Sequence, residues 1–132
     1  MDVSSYMFVP WKSGGRDYDG VDCWGLVCLL YKDKFGVELP SHLGVDPDDS
    51  TEICARVAAE EAQESWREVD VHDRREGDVV ILRIKGYPWH LGVLVDPLRF
   101  VHAEPERGVR VERLQAVHWK NRVLGFRRLN TL

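Results

Sequence analysis

Cys23, His90 and His102 are the residues of this 132-residue chain whose types and placement could do nucleophilic chemistry. Cys23 falls at the first turn of a predicted helix. Asp22 is a competent N-cap, Leu26, Val27, Leu30 and Tyr31 give the 3- and 4-residue spacing of a buried face, and Gly36 just past Phe35 reads as the stop. Unpaired backbone N–H groups and the positive end of the helix dipole converge on such a position and favour a thiolate over a thiol. The same N–H groups can hold a developing oxyanion, worth about 3 kcal/mol per donor in other hydrolases. His90 opens a predicted strand, and a neutral imidazole standing over the helix terminus can take the thiol proton. His102 follows across a predicted hairpin that turns at Asp96-Pro97, where it could bond the other ring nitrogen and fix its tautomer. Taken singly, each has a plainer reading: a small core cysteine, or a surface or core histidine. Cys28 and Cys54 receive that plainer reading, and His42, His72 and His118 read as ordinary.

These groups need elements to hold them. Residues 1–22 read as loop, broken by Pro10, Gly14, Gly15 and Gly20. After the first helix, Val37 to Asp49 is a connection. A second helix is expected from a cap at Asp49 or Ser50 to about Ser65, with Ile53, Val57 and Ala58 inward and Glu60, Glu61 and Glu64 wet. From Gly77 the period changes to that of strands: Asp78 to Ile84, His90 to Val95, Arg99 to Ala103, Val109 to Glu112 and Val123 to Phe126. Helices first and adjacent strands after predict an α+β fold, the helices packed on an antiparallel sheet, in a single domain over 1–132. Gly25 inside the first helical turn costs up to about 1 kcal/mol relative to alanine. Either something approaches the backbone closely there, or the helix packs tightly on a neighbouring strand.

Bulk properties narrow the classes. The formal net charge of −4 does not suggest a broad nucleic-acid surface, and Arg122, Arg127 and Arg128 read as a solvated strand face. Three cysteines without a CxxC pair predict free thiols in a reducing compartment and no cysteine zinc site. A zinc site on His90 and His102 would need a third close ligand. No apolar run is long enough for a membrane helix, and Met1-Asp2-Val3-Ser4-Ser5 lacks a secretory leader's basic and apolar regions, so something else is expected to carry the protein out of the cytosol.

Several blocks resemble the NlpC/p60 family of cell-wall peptidases: Gly14-Gly15 followed by Asp22-Cys23-Trp24-Gly25-Leu26-Val27, then Gly77-Asp78-Val79-Val80, then Trp89-His90-Leu91-Gly92-Val93-Leu94-Val95, then Phe100-Val101-His102-Ala103. They stand in the family's order and span residues 11 to 103. The resemblance implies a papain-like fold and a cysteine hydrolase that cleaves amide bonds in peptidoglycan stem peptides, typically after a D-γ-glutamyl residue, with no metal or organic cofactor. Cys23 would be the nucleophile, helped by its own backbone N–H at the oxyanion, His90 the base and His102 the residue that orients it. Trp11, Asp22 and Trp24 are the candidate substrate contacts, with core packing as the alternative for both tryptophans. Trp24 replaces the family's usual serine. Trp11 replaces its usual tyrosine, whose role would pass to Tyr18 or Tyr6. The form Asp-Cys-Trp-Gly-Leu-Val resembles family members in phage and prophage tails. That implies a tail-tip component, partnered by other tail-tip proteins, made in the cytoplasm and acting in the periplasm or wall. A structural or assembly part with a vestigial or maturation-related site, and a delivered effector amidase, are the alternatives.

Overall fold

A computed structural model describes residues 1–41, 66–84 and 87–132, with the backbone alone for 87–89. The second predicted helix, with His42 and Cys54, lies outside the described residues. The elements are β1 (Arg16–Asp17), β2 (Gly20–Val21), α1 (Cys23–Phe35), β3 (Trp66–Val69), β4 (Val79–Ile84), β5 (Tyr87–Asp96), β6 (Arg99–Glu104), β7 (Gly108–Arg113) and β8 (Val123–Leu129).

Both ends of α1 are set by the residues the sequence singles out. The Asp22 side chain accepts the Gly25 N–H at 2.7 Å, and Gly36 takes the left-handed conformation at φ 65° that closes the helix. Its first residues are buried almost all round, from Cys23 to Val27. The helix lies against β5 and β6 on one side and the β1–β2 hairpin on another. It therefore carries few polar residues before Lys32.

Strands β3 to β8 form one antiparallel sheet in the order β3-β8-β4-β5-β6-β7. The five predicted strands are present. The β1–β2 hairpin and β3 were not expected. The hairpin strands are two residues each, too short to show a period, and β3 is a four-residue edge strand whose Arg67 and Glu68 look like loop. Each face of the sheet has its own core. Val79, Ile81, Leu91, Val93, Val101 and Ala103 pack with α1, while Val80, Leu82, Leu94 and Phe100 pack with Trp119 and Phe126.

The direction of α1 matters for function. Its last turns reach the start of β4: the Tyr31 hydroxyl donates to the Gly77 carbonyl at 2.5 Å, and a Cβ on Gly77 would meet the Phe35 ring at 2.6 Å. A 13-residue helix spans about 20 Å at 1.5 Å per residue, close to the length of six-residue β4. Cys23 therefore sits at the opposite end of the strands, where β4 finishes, β5 begins and β6 finishes. The chain before Cys23 agrees: Val21 bonds Pro10 and Lys12, and the Val109 N–H at the start of β7 donates to Val9 at 3.2 Å.

Asp78 explains the Gly-Asp block. It is buried, accepts two bonds from the Arg128 guanidinium at 2.6 and 2.8 Å and one from the Arg75 N–H at 2.8 Å, and so ties the start of β4 to β8. The carboxylate beside Arg128 holds that guanidinium's pKa above its ordinary value. Asp78→Ala should cost about 3 kcal/mol, because it strands a half-buried cation. Chemical denaturation with an unchanged midpoint would contradict this.

Candidate active site

Asp22 organises the loop before the nucleophile candidate. Its Oδ1 accepts from Gly25 and from Arg16 Nη1 at 2.8 Å, and its Oδ2 accepts the Gly14 N–H at 3.0 Å. Arg16 also donates to the Gly15 carbonyl at 2.8 Å. The loop is thereby pressed onto the helix: a Cβ on Gly25 would lie 1.9 Å from the Gly15 oxygen. What approaches Gly25 is the chain's own Gly14-Gly15 segment, not a strand. Cys23 is the first residue of α1 and is buried.

His90 and His102 meet across the β5–β6 pair. Gly92 is opposite His102, and Nε2 of His90 lies 2.8 Å from Nδ1 of His102. His90 lies inside β5 rather than opening it, because the strand begins at Tyr87. Both rings are buried, on the sheet face of Leu82, Leu94 and Phe100. Trp119 stands edge-on to His102 with centroids 5.1 Å apart, and Phe100 lies at 5.0 Å. Burial, with the charges of His90, Arg110 and His118 adding to it, pushes the His102 pKa down to about 2. That ring is neutral at physiological pH. One ring nitrogen of His90 is thus engaged by a neutral acceptor or donor, which leaves Nδ1 for a proton transfer.

The other expected site residues have structural partners. Trp24 is buried and donates its indole N–H to the Pro40 carbonyl at 2.9 Å, so its observed role is core packing. Asp22 is equally buried in its cap and loop bonds. Trp11 bridges to Val21 and is partly exposed beside the core, at the same end of the sheet as Cys23. Tyr6 and Tyr18 do not take over a tyrosine's place at Cys23. Their hydroxyls both bond Asp33, near the far end of α1, and their rings stack at 5.7 Å. Cys28 is half-buried, and burial pushes its thiol up to about 12. A cleft of about 440 Å³ near Val69, Leu114 and Phe126 touches none of the three chemical residues.

Arg16, Trp119 and Glu112 belong to this region and were not anticipated. Glu112 Oε1 is 3.9 Å from His102 Nε2. The alternation of Val109-Arg110-Val111-Glu112 marks a half-buried strand, yet nothing in it says which neighbour the polar side chains meet.

Residues 8–128 match the NlpC/P60 family. The chain belongs to that family. Among NlpC/P60 relatives, it is 29% identical over 121 residues to murein DD-endopeptidase MepS/murein LD-carboxypeptidase of Escherichia coli (strain K12), covering 92% of this chain and 56% of that protein. It is 26% identical over 134 residues to the gamma-DL-glutamyl hydrolase of Bacillus subtilis (strain 168), covering 99% of this chain and 29% of that one. A solved NlpC/P60 family protein from Bacillus cereus ATCC 10987 superposes with a TM-score of 0.66 at 21% identity, over 93% of this chain and 36% of that one. The chain thus spans about half the length of the first relative and less of the others. The helix on an antiparallel sheet is the papain-like arrangement of the NlpC/P60 fold. No helix among the described residues is long and apolar enough to cross a membrane.

The contact at Gly25 can be tested by adding one methyl group. At an open helix position Gly→Ala stabilises by up to about 1 kcal/mol. Here the new Cβ meets a backbone oxygen, so Gly25→Ala should destabilise by about 1–3 kcal/mol. A urea midpoint that rises or stays level would contradict the close approach.

Proposed function

We propose that this NlpC/P60 domain is a cysteine hydrolase cleaving amide bonds in peptidoglycan stem peptides. The observation that carries the reading is the buried His90–His102 pair, 2.8 Å apart, at the end of the sheet where Cys23 begins α1. Cys23 Sγ attacks the peptide carbonyl and His90 Nδ1 takes the thiol proton. The Cys23 backbone N–H helps hold the oxyanion. His90 then protonates the leaving amine, and water hydrolyses the thioester through the same base. His102 holds the His90 ring in position. Trp11, partly exposed at this end, is the substrate contact that the burial of Trp24 and Asp22 leaves standing. No cofactor enters any step. The murein and γ-glutamyl substrates printed for the two relatives support a wall peptide as substrate.

The carrier is a finer matter. Trp24 after the cysteine, where the family commonly has serine, supports a phage tail-tip component that opens the wall during entry, with other tail-tip proteins as partners. In that setting the particle brings the domain to the periplasm or wall.

Cys23→Ser replaces one small polar group with another, so folding should be unchanged. Cleavage should fall by several orders of magnitude, as when one member of a cooperating triad is removed. Mass spectrometry of purified muropeptides incubated with each protein reads the loss. Equal product from both proteins would remove Cys23 from the reaction. For a tail protein, Cys23→Ser particles should assemble normally and penetrate poorly. Failed assembly with a well-folded variant would favour a maturation role.

A further inference from the structure

His102 Nε2 is buried with no hydrogen-bond partner among the described residues. Buried ring nitrogens are rarely left so, and this one controls more than its own desolvation. When both rings are neutral, one proton is shared between His90 Nε2 and His102 Nδ1. If His90 supplies it, His90 Nδ1 is bare and can act as a base, and the proton of His102 must reside on Nε2. If His102 supplies it, the proton of His90 sits on Nδ1, no base faces the nucleophile, and His102 Nε2 is bare. The state of the reacting ring is therefore decided one ring away, at Nε2.

We propose that Glu112 is a positioning residue that accepts the Nε2–H of His102 and so selects the base-competent tautomer of His90. Its catalytic consequence rests on the reading of Cys23 and His90 given above. The Glu112 oxygen is 3.9 Å from Nε2, about 1 Å beyond a hydrogen bond of ordinary length. A small rotation of a half-exposed side chain closes that gap. Glu112 reaches His102 diagonally, being opposite Phe100 in the β6–β7 register. The titratable and charged groups around His102 are His90 on β5, Glu104 on its own strand, Arg110 and Glu112 on β7, and His118 beside Trp119. His102, Glu104 and Glu112 bring one ligand atom each within 4.8 Å of one another, a grouping that could hold a cation. The Arg110 guanidinium, opposite His102 and 4.0 Å from the same Glu112 oxygen, speaks against a cation and for a proton.

The effect should reach the pH profile. A carboxylate beyond His102 stabilises the positive charge that forms on His90 in the reaction, and removing Glu112 withdraws that support. Glu112→Ala should lower kcat at least about tenfold with little change in KM, and move the alkaline limb of the profile toward neutral pH. Glu112→Gln keeps an acceptor without the charge and should fall between the two proteins. Nitrogen-15 NMR of the histidine rings in the Cys23→Ser background reads the tautomer without any turnover. The expected result is a proton on His102 Nε2, unchanged by EDTA and lost or mixed in the Glu112→Ala double variant. A proton on Nδ1 in the parent, the same tautomer without Glu112, or ring signals that shift on adding EDTA would each overturn the proposal. If Glu112→Ala fails to fold, Glu112→Gln carries the test, and an unmoved alkaline limb counts against the proposal. Intact Nε2–H with a wild-type protein inert on sacculi would instead count against the proposed hydrolase.

Discussion

One carboxylate holds the functional end of this protein together. Asp22 closes the start of α1 by bonding Gly25, anchors the preceding loop through Gly14, and pairs with Arg16, which itself grips Gly15. A buried carboxylate is costly unless its oxygens are engaged, and here both are. Three separate requirements meet in that residue: a defined helix start, a fixed loop and a neutralised charge. The glycine at 25 follows from it, since a Cβ there would meet the Gly15 carbonyl, whereas a Cβ on Gly15 would meet the Gly20 carbonyl across the hairpin.

The histidine pair shows the opposite economy. Among the described residues, no counter-charge lies within hydrogen-bonding distance of the buried His90 and His102, and aromatic rings cover His102 on two sides. Burial disfavours the protonated form of His102, which keeps that ring a neutral partner for His90. It also excludes water from the bond between the rings, so that bond is stronger and better oriented than an exposed one. The cost is that every proton in the pair must be housed, and a nitrogen without a partner on the outer side becomes consequential.

The fold was legible to the extent that periodicity carries it. The apolar spacing from Leu26 to Tyr31, the cap at Asp22 and the stop at Gly36 locate α1, and β-branched runs locate β4 to β8. The short hairpin at 16–21 and the edge strand Trp66–Val69 were not, because elements of two to four residues have no period to read and owe their conformation to partners far along the chain. In the site, the spacing of His90 and His102 around Asp96-Pro97 anticipates a hairpin, and the two rings do meet across it. Roles for Trp24 and Asp22 at the substrate were less accessible to sequence. A tryptophan beside a nucleophile looks the same in sequence whether its indole faces a cleft or, as here, bonds Pro40 inside the core. Tyr6 and Tyr18 were equally ambiguous until Asp33 proved to be their common partner.

The central claim is that Cys23 and His90 act as one reacting pair. The pH dependence of Cys23 alkylation by iodoacetamide, followed by peptide mapping in the wild-type protein and in His90→Ala, tests it without any assumption about substrate. Cys28 serves as an internal reference, because burial keeps its thiol protonated at neutral pH. A thiolate held by an imidazolium reacts well on the acid side of an ordinary thiol, whose pKa is about 8.5. The account predicts such a profile for Cys23 in the wild type and its return toward the ordinary range in His90→Ala. Superimposable profiles in the two proteins would contradict it.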